Sequence, residues 1–197
     1  MSIDRETVAV YDARAADYAQ RFSTGAQDTA LAAFIAALPE GATVLDLGCG
    51  PGRAAAAMAD AGLCVTATDA SAEMVRLAGA HPGVTARQAS FDDIDGQDLY
   101  DGIWANFSLL HAPRADLPRH LSALRRALKP GGLFHIGMKT GTGEARDAIG
   151  RLYTYVTEPE LTSLLRDAGL VPFTSRSGVE TGLDGTPAPW ITITSRG

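Results

Sequence analysis

The sequence predicts an α/β fold, a seven-stranded and mostly parallel sheet with helices on both faces and its last strand antiparallel. Three observations carry that expectation. Short apolar runs alternate with stretches of helical periodicity, the pattern of successive βαβ units. The first such run passes into a glycine-rich turn, Gly48-Cys49-Gly50-Pro51-Gly52, and then into a helix. No repeat, low-complexity linker or break in composition divides the 197 residues, a length that suits one domain with one sizeable core.

Each element has its own signal. A first clear helix spans 27–38, with Leu31, Phe34, Ile35 and Leu38 on one face, and Pro39-Glu40-Gly41 stops it. Strand 43–47 leads into the glycine turn, and an alanine-rich helix, 53–61, ends at Gly62. Strand 63–68 ends on Asp69, and Ser71 can cap the helix that follows until Gly79 to Pro82. Strand 84–88 leads to Ser90-Phe91-Asp92-Asp93, and a fourth strand runs from 100 or 101 to 107. Leu117, Leu121, Leu124 and Leu128 form the core stripe of the next helix. Lys129-Pro130-Gly131-Gly132 then reads as a turn into strand 133–138. Thr157 to Glu160 matches a capping box that opens a helix to Ala168, and strands 170–175 and 190–195 complete the pattern.

Composition narrows the class of protein. An apolar share of 46% with 20% charged residues argues against disorder and against a fibrous chain. No apolar stretch reaches the roughly 20 residues that span a bilayer. The start, Met1-Ser2-Ile3-Asp4-Arg5-Glu6, is acidic where a secretory signal would be basic and apolar, so a cytoplasmic chain without membrane partners is expected. Two cysteines, Cys49 and Cys64, without a CxxC pair read as free thiols. The net charge of −6 disfavours a nucleic-acid partner, because such proteins concentrate Lys and Arg on one face. The cluster Arg125, Arg126 and Lys129 is better explained by the helix end it occupies.

The glycine turn is the most informative stretch. Glycines between a strand and a helix let the backbone approach a ligand, and the helix start offers free N–H groups. Asp69, nineteen residues after Gly50, ends the next strand, where one carboxylate can accept both hydroxyls of a ribose. Dinucleotide-binding turns read G-x-G-x-x-G, whereas here Arg53 follows Gly52. Asp46, two residues before Gly48, would repel a pyrophosphate but attract a sulfonium and an amino group. The local charge therefore favours a cationic nucleoside ligand.

Val44 to Gly52 resembles the first motif of class I S-adenosylmethionine-dependent methyltransferases, and the resemblance extends through Asp69, Tyr100 to Ala105 and Leu124 to Leu133. Together these cover most of 43–138, which the resemblance makes the cofactor-binding core of a Rossmann-like methyltransferase domain spanning 1–197. Residues 139–155 look like a subgroup of small bacterial methyltransferases. The resemblance implies S-adenosyl-L-methionine as cofactor, with the Gly48-Cys49-Gly50 turn at its methionine end and Asp46 at its ammonium. Asp69 would hold the ribose, and Ala70 and Met74 would lie along the adenine. Ser90, Phe91 and Asp92 stand where many members carry an acid for the adenine amino group, and N–H groups of Phe91 and Asp92 are the substitute. Asn106 and Phe107 would sit beneath the methyl, without the N-P-P-Y of nucleic-acid enzymes. Segment 1–26 would be a lid in which Tyr11 or Tyr18 covers the sulfonium and Arg21 pairs with the carboxylate, an ordinary amphipathic helix being the alternative.

Methyl transfer needs a general base only when the acceptor must lose a proton, and His111, after the fourth strand, is the candidate; a structural histidine is the alternative. His81, His120 and His135 have no spacing that suggests a metal. Lys139, Glu144, Arg146, Asp147, Arg151, Tyr153 and Tyr155 lie on the rim, either to bind a polar acceptor or as a salt-bridged helix, and Trp190 is expected in the core. The leading expectation is methyl transfer to a small molecule. The alternatives are a non-catalytic cofactor-binding module and a protein methyltransferase; the number of subunits is open.

Overall fold

The computed structural model describes residues 4–21, 29–181 and 185–197, without the side chains of residue 17 and residues 19–21. Helix α1 (Arg5–Arg21) and helix α2 (Thr29–Ala36) precede the sheet. Residues 27 and 28 of the helix expected over 27–38 lie outside the described residues. Strand β1 (Thr43–Leu47), α3 (Arg53–Asp60), β2 (Cys64–Asp69), α4 (Ala72–Ala78), β3 (Val84–Gln88) and β4 (Tyr100–Asn106) follow. Then come α5 (Leu117–Ala127), β5 (Leu128–Lys139), β6 (Glu144–Arg146), β7 (Leu152–Thr154), α6 (Glu158–Asp167), β8 (Val171–Thr181) and β9 (Pro187–Arg196).

Seven strands form one sheet in the order β3-β2-β1-β4-β5-β9-β8. Strands β1 to β5 are parallel, and β9 runs antiparallel to both β5 and β8, as expected. The chain winds outward from β1 to β3 and returns to β4 beside β1. Carboxyl ends at such a reversal diverge and leave a crevice. The caps read from sequence are in place: Ser71 Oγ accepts from the Met74 N–H at 3.1 Å, and Thr157 and Glu160 form a capping box.

Successive side chains of a strand point to opposite faces, and the two faces differ in content. Leu45, Leu47, Ile103, Ala105, Phe134, Ile136, Ile191 and Ile193 pack against Leu121 and Leu124 of α5 and Leu161 and Leu165 of α6. The other face carries Val44, Val65, Ala67, Trp104 and Leu133 against Phe34 of α2, Ala55 and Met58 of α3 and Ala78 of α4. Towards the crevice this second face changes character. Asp46 lies beside Trp104 in register, and Asn106, Gly137 and Thr192 form a row across β4, β5 and β9.

Three expectations are corrected. Strand β5 starts at Leu128: the Lys129–Gly132 stretch belongs to the strand as an irregularity, with Gly131 at φ 75°, its N–H donating to the Gly197 carbonyl at 2.8 Å, and a register shift against β4 absorbing it. Strands β8 and β9 are longer than their apolar runs, because each satisfies the other's backbone along ten register positions. Segment 144–154 is a β-hairpin, β6 with β7, and not a helix. The basic cluster is accounted for locally: Arg125 donates to the carbonyls of Leu128 and Gly169, and Lys129 pairs with Asp101 at 2.8 Å.

Candidate active site

A cavity of about 960 Å³ opens at the carboxyl ends of β1, β2 and β4, under α1 and α2. Of the residues expected at the cofactor and His111, Asp92 is not part of its lining and the Arg21 side chain lies outside the described residues; the others all line it.

The turn after β1 is built on positive φ angles at Gly48 (68°), Gly50 (52°) and Gly52 (84°), which L side chains rarely adopt. The three glycines have different work. A Cβ on Gly48 would lie 2.3 Å from the Ser108 Cβ, whereas one on Gly50 would meet only the Tyr18 ring, at 3.8 Å. Gly48 thus lets the loop after β4 close against β1, and Gly50 is the position open to a ligand. Gly48→Ala is expected to destabilise the protein by about 2–4 kcal/mol, from the left-handed conformation plus overpacking. Thermal unfolding checks this. Adding Ser108→Gly should restore only the overpacking share, and full recovery would show that φ is not strained.

Two acids face the cavity from adjacent strands. Asp69 accepts from the Gly50 N–H and the Ser71 N–H, each at 2.9 Å. Burial raises its pKa against the opposing N–H groups of Ser71, Gly50 and Ala70. Asp46 is 3% exposed, and its Oδ2 has no hydrogen-bond partner. Burial pushes its carboxyl up to about 7, against an N–H from Ala55 and with a further rise from Asp69. Beyond β3, Ser90 and Phe91 stay on the cavity. Asp92 turns out to Arg119 at 2.7 Å, and its N–H donates to Ser90 Oγ, so the N–H expected to meet an adenine is already used. Asp93 accepts from both the N–H and the hydroxyl of Ser90 at 2.7 Å.

Helix α1 crosses the mouth and is tied down on both sides. Towards α4, Asp12 accepts from Ser71 Oγ at 2.5 Å and from the Glu73 N–H at 3.3 Å. Towards the β6–β7 hairpin, Arg146 pairs with Asp4, and the Leu152 N–H donates to Thr7 Oγ1 at 2.8 Å. Tyr11 lies at the centre. The Leu152 carbonyl, 2.6 Å from His111 Nδ1, can only accept, so Nδ1 carries the proton and Nε2 accepts from the Tyr11 hydroxyl at 2.8 Å. Arg151 Nη1 donates to the Tyr11 oxygen at 3.1 Å, and its guanidinium is held by Asp147 at 2.7–2.9 Å. Burial pushes the His111 pKa down to about 4, so the ring is neutral at pH 7. Both of its nitrogens are engaged within the protein.

None of Lys139, Glu144, Arg146, Asp147, Arg151, Tyr153 and Tyr155 lines the cavity. Their charges and rings hold α1 and the neighbouring loops, with Lys139 Nζ 3.8 Å from the centre of the Tyr153 ring. The far wall of the cavity comes from the last two strands instead. Arg176, Glu180, Trp190 and Thr192 line it, so Trp190 belongs to the cavity and not to the core. Trp104 stacks on His135 at 3.8 Å, and His135 Nε2 meets Asn106 Oδ1 at 3.3 Å. Phe107, at φ 56°, is a bulky residue in the left-handed region; its N–H donates to the Gly137 carbonyl at 3.0 Å.

Residues 44–132 match the model of a family described as a methyltransferase domain. The ubiquinone biosynthesis O-methyltransferase of Xanthomonas axonopodis pv. citri is 30% identical over 154 residues, which cover 67% of this chain and 64% of that protein. The chain thus spans less than two thirds of the length of that relative, as of its Xanthomonas oryzae counterparts at 63%. Among solved structures, the 1,6-didemethyltoxoflavin-N1-methyltransferase of Burkholderia thailandensis, with bound 1,6-didemethyltoxoflavin and S-adenosylhomocysteine, superposes with a TM-score of 0.78 at 28% identity. That match covers 100% of this chain and 91% of the other. A putative methyltransferase of Haloferax volcanii, in complex with the Trm112 methyltransferase activator, gives a TM-score of 0.77 at 24% identity over 96% of both chains, a likeness of fold.

Proposed function

The chain belongs to the class I S-adenosylmethionine-dependent methyltransferase family, and we propose that it binds S-adenosylmethionine in this cavity and methylates a small molecule at oxygen or nitrogen. The observation that carries the reading is Asp46. A buried carboxylate oxygen with no partner, next to a second acid and a turn open at Gly50, fits a ligand with a cationic head and vicinal hydroxyls. The cofactor's ammonium would supply what Asp46 lacks. Asp69, held by backbone N–H groups, would accept from the ribose, Met74 and Phe91 would flank the base, and Tyr11 and Tyr18 would cover the sulfonium. Helix α1 acts as the cover in this reading.

Bound there, S-adenosylmethionine supplies an electrophilic methyl group on a positively charged sulfur. The protein's share is alignment and exclusion of water, which the enclosing α1 and the aromatic walls provide. His111 holds the Tyr11 hydroxyl in place and meets an acceptor's proton only through that hydroxyl. The cavity volume lies within the range of small-molecule sites. The Burkholderia relative, named for an N1-methylation, and the Xanthomonas relative, named as an O-methyltransferase, support acceptors of that size.

Calorimetric titration with S-adenosylmethionine and with NAD tests the reading. We expect S-adenosylmethionine alone to bind, and Asp69→Ala to weaken it roughly 30-fold through loss of charge-assisted hydrogen bonds. Binding of NAD instead, or of neither, would sink the proposal.

A further inference from the structure

Buried polar atoms without partners are rare enough that each one asks for a reason. Among the described residues, three such atoms belong to residues that line the cavity: Asp46 Oδ2, Ser108 Oγ and Trp190 Nε1. The first two flank the turn after β1, where the cofactor is proposed. Trp190 lies three strands away, on β9, and nothing in the cofactor reading uses it.

The surroundings of Trp190 are shaped around its ring. It pairs in register with Gly178 of β8, and a Cβ there would come within 2.6 Å of the indole. Glycine therefore allows the ring to lie flat across the neighbouring strand. The Phe107 ring meets the indole edge-on, with centroids 6.3 Å apart at 82°. Nearby, Asn106 is oriented from behind. The Thr194 hydroxyl lies 3.1 Å from His135 Nδ1, and with that hydroxyl as donor His135 Nε2–H donates to Asn106 Oδ1. A Cβ on Gly137 would sit 2.4 Å from that oxygen, so the glycine leaves room for it. The Asn106 oxygen is engaged and its NH₂ remains as donor. The apolar Leu31 and Ile35 of α2 also line the cavity.

We propose that the Trp190 indole N–H is the specificity contact for the methyl acceptor. It donates to a carbonyl oxygen or ring nitrogen of a flat heteroaromatic molecule, with the Asn106 NH₂ as second donor and Phe107 and α2 as walls. The assignment rests on the methyltransferase reading of the cavity. It follows from chemistry: two donors beside an aromatic ring, with the charged Arg176 and Glu180 of the same wall exposed, select a planar molecule with lone pairs over an aliphatic chain.

The test uses protein labelled with ¹⁵N at the indoles and saturated with S-adenosylhomocysteine. The chain has two tryptophans, Trp104 and Trp190, and Trp190→Phe assigns their two signals. The probes are 1,6-didemethyltoxoflavin and lumazine, which carry carbonyls and ring nitrogens, with naphthalene as a flat control lacking both. We expect the heteroaromatic probes to move the Trp190 N–H signal downfield and naphthalene to leave it in place. Trp190→Phe should weaken the heteroaromatic probes about tenfold, more than it weakens S-adenosylhomocysteine. If S-adenosylhomocysteine binds but no heteroaromatic probe shifts the Trp190 signal, or the variant binds the probes as tightly, the assignment is overturned. Failure of S-adenosylhomocysteine itself to bind would instead remove the reading on which it rests.

Discussion

Replacing Asp46 with asparagine is expected to weaken S-adenosylmethionine binding roughly 30- to 150-fold, the worth of one charge-assisted hydrogen bond at about 2–3 kcal/mol. The same substitution should stabilise the ligand-free protein. Folded Asp46 keeps its proton up to about pH 7, whereas an ordinary aspartate releases it near 3.8. Between those values the folded state carries the extra proton, so its stability falls as pH rises from about 4 to 7. Above pH 7 the penalty reaches on the order of 4 kcal/mol, and asparagine, which does not titrate, escapes it. The gap between variant and wild type should therefore open across that window and then level. Urea unfolding at pH 5 and pH 8 reads it, and equal gaps at both would contradict the account.

A second large effect is expected at the far end of the α1 anchorage. The side chains of Arg151 and Asp147 are 3% and 4% exposed and share a two-point ion pair. Arg151→Met would leave a carboxylate buried without its counter-charge, at about 3–5 kcal/mol. For a protein of this size that lowers Tm by roughly 10 °C. Asp147→Asn in the same chain should recover much of the loss, since asparagine still accepts from the N–H groups of Ile149 and Arg151 as Oδ1 of Asp147 does. What the double variant should not recover is the hold on Tyr11, so S-adenosylhomocysteine affinity should stay reduced after stability returns. Recovery of both together would mean that the pair acts on folding alone.

The elements that were legible in the sequence are those whose signals are local. Leu117, Leu121 and Leu124 repeat at helical spacing and line the buried face of α5, and the Asp46–Gly52 stretch combines strand, turn and helix start within a few residues. What stayed illegible depends on partners far along the chain. Strands β6 and β7 are three residues each, too short for periodicity, and their charges read equally well as a helix. Tyr11 meets His111 across 100 residues and Arg151 across 140, distances at which spacing carries no information. Trp190 was expected in the core because aromatic residues at strand starts usually are, and only Gly178, on another strand, makes room for it as a cavity wall. A glycine in each of the two strands that flank β9, Gly137 on β5 and Gly178 on β8, is the available clue, since glycine weakens a strand unless something approaches it closely.

The division of the sheet into two unlike faces bears on how such a protein changes over generations. Along β4, Ile103 and Ala105 answer to α5, while Trp104 and Asn106 answer to whatever occupies the cavity. Neighbouring codons are therefore under different selection, one set by the fold and the next by the ligand. The same alternation holds on β9, where Ile191 and Ile193 are interleaved with Trp190 and Thr192. A lineage can exchange the residues of one parity for a new acceptor while the other parity keeps the sheet intact. Within a single strand, novelty and inheritance are carried by alternate residues.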